Sequence, residues 1–261
     1  MIAYYVIKFL KKKFIKGIKN VGGRCNLGRV TVRGRGGGNK INYRVLDFYR
    51  RINQFGYLIR IFYDPNRTCK IGLILFENSV SGLILIQKNI KLKESIYLGS
   101  EKISNIKHEI KNGYSMTLLN LPLFSVLSNV EFKPFKGGEL CRAADTSCIL
   151  VGKTLNKGIL KLNSGWELHL PLNCISSYGA MSNKLINNIF IKKAGKSRAL
   201  GFKPKVRGVA KNPCDHPHGG GNGKRSKPKI PVNAWHTVFK WKHTKNKEID
   251  NKKRRLFKNL N

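Results

Sequence analysis

Short apolar runs separated by turn residues dominate the middle of the chain. Leu58-Ile-Arg-Ile-Phe-Tyr63, Lys70-Ile-Gly-Leu-Ile-Leu-Phe76 and Gly82-Leu-Ile-Leu-Ile-Gln87 are too short for helices and rich in β-branched and aromatic residues. Asp64-Pro65-Asn66 and the stretch from Asn78 to Gly82 supply the breaks between them. The runs recur about every 12 residues, the spacing of a small β-barrel or sandwich. Asn42-Tyr-Arg-Val-Leu-Asp-Phe48 adds a strand before them, so residues 35–115 are expected to form one barrel.

A second set follows. Ser128-Asn-Val-Glu-Phe132, Glu139-Leu-Cys-Arg142, Ser147-Cys-Ile-Leu-Val151, Gly158-Ile-Leu-Lys-Leu162 and Trp166-Glu-Leu-His-Leu170 read as strands. Asn156-Lys-Gly158 and Asn163-Ser-Gly165 have the composition of tight turns between them. This predicts a second small barrel over residues 116–191. No sustained helical period competes, apart from a short turn near Asn183–Phe190. The expected class is all-β, two barrels in series.

Charge changes this picture at both ends. The 261 residues carry 51 Lys+Arg against 13 Asp+Glu, a formal charge of +38. Residues 1–60 contribute +14, residues 61–191 only +6, and residues 192–261 +18. A nearly balanced body therefore lies between two basic ends, read as an N-terminal arm over 1–34 and an extended tail over 192–261. The tail is Gly-, Pro-, Asn- and His-rich, with Trp235, Phe239 and Trp241 standing singly, so its order depends on a partner. So much unbalanced positive charge makes a polyanion that partner, with nucleic acid first. Lys8 interrupts the most apolar N-terminal stretch, so a membrane span is not expected. No secretory signal is read there either.

The six cysteines (Cys25, Cys69, Cys141, Cys148, Cys174 and Cys214) are scattered, without the pairing of a zinc ribbon or a redox motif. Gly152-Lys-Thr154 and Gly195-Lys-Ser197 end like phosphate-binding loops, but Ser147 and Phe190 occupy the positions that need the earlier glycine. Arg33-Gly-Arg-Gly-Gly-Gly-Asn-Lys40 lacks the last glycine of a dinucleotide fingerprint. It suits phosphate contact instead: glycines allow close backbone approach, and Arg33, Arg35 and Lys40 neutralise charge. Arg44, Arg50 and Arg51 extend that patch, with Tyr43 and Tyr49 available for stacking. Asn212-Pro-Cys-Asp-His-Pro-His-Gly-Gly-Gly221 could suggest a hydrolase through Asp215, His216 and His218, or a metal site through Cys214. It has no nucleophile elbow, and Pro217 breaks regular ligand spacing. A rigid loop pressed against RNA, its histidines donating to phosphate or 2′-OH groups, is the better reading.

The motifs together resemble one family. Gly28-Arg-Val-Thr-Val-Arg33, Gly36-Gly-Gly-Asn-Lys40 and Tyr43-Arg-Val-Leu-Asp-Phe48 look like the N-terminal signature of ribosomal protein L2 (uL2). Leu121-Pro-Leu123, Asn129-Val-Glu-Phe132 and Lys136-Gly-Gly-Glu-Leu-Cys-Arg-Ala-Ala144 resemble the start of its second domain. Lys193-Ala-Gly-Lys-Ser-Arg198, Val206-Arg-Gly-Val-Ala210 and the 212–221 segment resemble its C-terminal core. The resemblance runs from Gly22 to Trp235 in order. It departs at Asn39, at Asn222 and at Pro231-Val-Asn-Ala-Trp-His236, and residues 1–20 replace the usual N-terminal extension.

Membership implies an OB-fold barrel, then an SH3-like barrel, with basic arms at both ends and the tail near the peptidyl transferase centre. The implied function is that of a structural constituent of the large ribosomal subunit, without catalysis, cofactor or metal. Its partners are large-subunit rRNA and neighbouring ribosomal proteins. Expected RNA contacts are Arg33, Arg35, Lys40, Arg44, Arg50, Arg51, Lys196, Arg198, Arg207, Lys211, His216, His218, Lys224 and Arg225. Heavy Lys, Ile and Asn use, without an Arg-rich transit peptide, points to a mitochondrial ribosome, with plastid or bacterial cytoplasm as alternatives. The rival functions are a non-ribosomal RNA-binding protein and a hydrolase using the Asp215/His216/His218 loop.

Overall fold

The structure is a computed structural model, and it describes residues 14–100, 110–221 and 230–238. Its contacts divide the chain into two compact units. One is built on residues 40–190, with 14–19 added. The other joins residues 20–39 to the chain beyond residue 190.

The first unit is a β structure in two groups. Strands β1 (Ile15–Gly17) and β2 (Asn42–Arg44) form a short antiparallel pair. Strands β3 (Gln54–Phe62), β4 (Ile71–Phe76), β5 (Ser81–Leu85) and β6 (Ser95–Leu98) follow, with β4 between β3 and β5 and with β6 on the other edge of β3. All residues of β4 except Leu75 are buried, which is why its sequence is an unbroken apolar run rather than an alternation. The second group contains β7 (Ser115–Thr117), β8 (Val126–Ser128), the pair β9 (Val130–Glu131) and β10 (Gly138–Leu140), then β11 (Cys148–Lys153), β12 (Lys157–Leu162), β13 (Glu167–Pro171) and β14 (Ile175–Tyr178). In the β12–β13 hairpin Leu160 faces Leu168 in the core while Lys161 and Glu167 stay outside, the period-two pattern of a half-buried sheet. Its turn is closed by Gly165, whose φ of +83° needs a residue without a side chain.

The two groups share one sheet through a single parallel pair, Leu98 with Ser115. A core running from Leu58, Ile74 and Ile84 through Leu118, Leu127 and Leu150 to Leu170 lies beneath both. A smaller cluster of Leu46, Cys69, Ile71, Leu73, Leu83, Leu85 and Met181 packs on the first group. This is the all-β architecture expected. A 3-10 turn over Lys184–Asn188 falls where the short turn was expected. Strands β6, β7 and β14 carry no signal that the sequence reading picked up. In β14 Ser176 and Ser177 are both fully buried, so a polar sequence occupies a central strand.

The second unit is of a different kind. Its described residues form a six-residue helix, α1 (Ala194–Ala199), one 3-10 turn over Gly208–Ala210, and otherwise loops. Among the described residues no helix is long and apolar enough to cross a membrane.

Candidate nucleic-acid interface

The Gly-rich segment of residues 33–40 is seated on the chain that follows α1. The Gly36 amide donates to Gly201 O (2.9 Å), the Asn39 amide to Ala199 O (2.9 Å) and the Lys203 amide to Gly34 O (2.9 Å). A Cβ on Gly38 would stand 2.7 Å from the Gly201 amide nitrogen. The glycines therefore serve contact within the protein, and the Gly36 and Asn39 amides are not free for phosphate as the sequence reading had them. What the seating leaves outside is charge. Arg33, Arg35, Lys196, Arg198 and Arg207 are exposed, and Lys211 is half-buried. The Arg35 guanidinium lies 4.1 Å from the centre of the Phe202 ring, and Arg198 Nη1 donates to Phe202 O (3.2 Å), which fixes both stems.

The 212–221 loop is folded on itself. The amides of Asp215 and His216 donate to Asn212 O (3.0 and 3.3 Å), that of Gly219 to His216 O (2.8 Å) and that of Gly220 to Lys211 O (3.1 Å). Gly219 is required because a Cβ there would meet Asn212 O at 2.3 Å. His216 Nδ1 accepts the His218 amide (3.0 Å), so the proton of a neutral His216 ring sits on Nε2. Its ring packs on Gly208, where a Cβ would meet it at 2.5 Å. Burial, then the neighbouring His218, Lys211, Arg33 and His236, pushes the His216 imidazole below its ordinary value. His218 Nε2 receives the Val232 amide (3.2 Å). Each histidine thus accepts an internal amide through one ring nitrogen, which leaves the other nitrogen of the neutral ring to carry the proton and donate outward. Among the described residues no three metal-ligating side chains converge, around Cys214 or elsewhere.

The first unit holds the remaining expected contacts, and they divide. Lys40 is exposed. Arg50 is not: it is fully buried, and its guanidinium donates to Leu85 O (2.6 Å), Ser115 Oγ (3.1 Å) and Ser177 Oγ. Burial lowers its pKa to about 10, against the opposing influence of Asp47 and Cys69. Arg50 is a structural cation inside the β unit and cannot touch RNA. Arg44 pairs with buried Asp64 (3.0 Å), which also holds Arg67 (3.1 Å). Arg51 pairs with buried Glu131 (3.0 Å) and lies 3.9 Å from the centre of the Phe135 ring. Glu131 also accepts the amides of Gly137 (3.1 Å) and Ile175 (3.0 Å). Tyr43 is faced by Arg67 at 5.2 Å, whereas Tyr49 is exposed as a stacking platform must be. Lys224 and Arg225 lie outside the described residues.

The sequence reading missed Trp235 as a site residue. Arg33 approaches to 5.4 Å of its ring and donates to Asp215 O (3.2 Å), so one side chain ties residue 235 to the 212–221 loop. A Trp standing singly in a basic, glycine-rich tail, as Trp241 also does, was the available signal.

Two family models cover most of the chain. One, described as the RNA-binding N-terminal domain of ribosomal proteins L2, matches residues 11–98, and the other, their C-terminal domain, matches residues 111–236. The large ribosomal subunit protein uL2 of Parvibaculum lavamentivorans is 42% identical over 241 residues, 92% of this chain and 84% of that protein. That of Sinorhizobium medicae is 42% identical over 92% of this chain and 85% of its own length. That of Rickettsia bellii is 43% identical over 90% and 84%. With its β groups, its basic loop unit and these matches in register, the chain belongs to the ribosomal protein L2 family.

Proposed function

We propose that this chain is a structural constituent of the large ribosomal subunit, where it binds rRNA beside neighbouring ribosomal proteins. The observation that carries this is the loop unit. Its described residues hold twelve Lys and Arg against the single acid Asp215, and none of its apolar side chains is buried. Charge of one sign on a surface without a core of its own fits a polyanionic partner. Family membership supports rRNA as that polyanion.

The contacts are assigned to exposed cations: Arg33, Arg35, Lys40, Lys196, Arg198 and Arg207, with Lys211 beside them. Arg44 and Arg51 act at most through their open edges, since their acids already neutralise them. Lys224 and Arg225 extend the set by sequence alone. The OB-fold region over 35–115 and the SH3-like region over 116–191 serve as scaffold, and the tail from 192 braces RNA near the peptidyl transferase centre. The role is structural rather than catalytic, which the engagement of His216 Nδ1 and His218 Nε2 within the loop supports. The mitochondrial setting rests on Lys-, Ile- and Asn-rich composition, whereas the relatives above are bacterial.

Gradient sedimentation of extracts tests both levels. Stoichiometric presence in large subunits is expected, and a chain absent from them is not a ribosomal constituent. Recovery from purified organelles rather than bacterial cytoplasm decides the setting.

A further inference from the structure

The loop unit contains a cleft of about 770 Å³ whose lining, among the described residues, includes Arg33, Lys205, Lys211, His218, Val232 and Trp235 and no carboxylate. That volume lies within the roughly 300–1,000 Å³ of small-ligand sites. Its walls are fixed before any ligand arrives. Asn233 Oδ1 accepts the amides of Trp235 (2.9 Å) and Thr237 (2.9 Å), which sets the turn that presents the indole. The Val232 amide is held by His218 Nε2 (3.2 Å), joining one wall to the 212–221 loop. Arg33 lies between them, on the indole and on Asp215 O. Trp235 nonetheless remains 52% exposed. An aromatic ring held rigid and half open costs nothing further to order when a flat apolar surface stacks on it.

From this we infer that the cleft is a binding site for a single unpaired nucleotide of RNA, its base stacked on Trp235 and its phosphate held by Lys205 and Lys211. The assignment rests on the rRNA reading above and deepens it. A purely electrostatic groove needs neither an indole nor enclosing walls. An apolar protein segment gains nothing from three cations without a carboxylate. A nucleotide uses both parts, since every base has a π face and every linkage a negative charge.

The test uses the full chain with Trp166→Phe and Trp241→Phe, so that Trp235 is the only indole. Its fluorescence is titrated at one fixed salt concentration with a single-stranded RNA hexamer and with an abasic hexamer of equal charge. The base-bearing hexamer is expected to quench Trp235 saturably and bind about tenfold or more tightly than the abasic one. Trp235→Ala and Trp235→Phe carry no indole and are read by fluorescence anisotropy of end-labelled hexamers: Trp235→Ala should remove that preference, and Trp235→Phe should restore most of it. Far-UV circular dichroism confirms that each variant is folded. Equal binding of the two hexamers, an unaltered preference in Trp235→Ala, or the same saturable quench from polyglutamate overturns the inference. If the chain still binds large-subunit RNA with a steep salt dependence, only the cleft assignment fails. If it binds no RNA at all, the ribosomal reading fails with it.

Discussion

The two units keep their shape by opposite means. In the β unit the buried and half-buried arginines have all been given acceptors: Asp64 holds Arg44 and Arg67, Glu131 holds Arg51, and Arg50 is enclosed by Leu85, Ser115 and Ser177. All the buried hydrophobic side chains of the described residues lie there, between Leu46 and Met181. The loop unit has none. Backbone hydrogen bonds and glycines in close approach hold it, so its side chains are left for the outside. Neutralised charge with a core gives a scaffold, and unneutralised charge without one gives a contact surface.

The sharpest way to break this contrast is salt. Binding of RNA by the full chain should weaken about a thousandfold or more between low and physiological salt if six or more phosphates are neutralised. Residues 40–190 alone should melt cooperatively yet show a shallow slope in the same filter-binding assay. Equal slopes mean that the β unit, not the loop unit, carries the contacts.

Next in size, Arg50→Ala should cost the β unit about 3 kcal/mol or more in urea unfolding, because Leu85 O is orphaned and a cavity remains. Arg50→Lys should recover little, since an ammonium cannot span the three acceptors. Arg33→Ala should leave that unfolding unchanged. In the loop unit Gly219→Ala should lower RNA affinity without moving the β unit's midpoint, read by the same two assays.

The units should also fail at opposite ends of the pH scale. Burial, then the charge of Glu131, pushes the Cys174 thiol up to about 12. A raised thiol contributes stability that is full below its ordinary value near 9 and is lost as pH climbs from there toward 12. His216 is shifted down, so its contribution is present above its ordinary value of 6.5 and lost as pH falls below it. Tyrosine and tryptophan fluorescence against pH, repeated with Cys174→Ala and His216→Gln, should show alkaline loosening of the β unit and acid loosening of the loop unit.

The smallest effect is expected for His216→Gln in assembled subunits: peptide-bond formation at close to the normal rate. A hundredfold loss in the chemical step would make the imidazole a general base.

Much of the scaffold was legible because it obeys local rules. The run Ile71–Phe76 announces a doubly covered strand, and Asn163-Ser-Gly165 announces the turn of the β12–β13 hairpin. Ile175-Ser-Ser-Tyr178 was not legible, because its Ser177 is buried to face an arginine distant in sequence. The same arginine looked like a surface cation for the same reason. At the site, the charge was readable and its arrangement was not. Nothing local says that Gly38 will rest on Gly201, or that Arg33 will reach Trp235. Such pairings between residues far apart in the chain have no period and no composition.

The junction of the two β groups has a mechanical consequence. A ladder resists sliding through many repeated bonds, but here one strand pair, Leu98 with Ser115, is reinforced by the Gly99 amide on Ser115 O (3.1 Å) and by the Arg50 guanidinium. Arg50 behaves as a rivet. Without it that joint loses its side-chain reinforcement, while the Gln87–Met181 bridge, the Lys88 amide on Ala180 O (2.8 Å) and the Arg51–Glu131 pair (3.0 Å) still tie the two groups elsewhere. Native-state hydrogen exchange should therefore find, in Arg50→Ala, a new opening confined to the amides beside that joint, while the interiors of β3–β4 and β11–β12 stay protected.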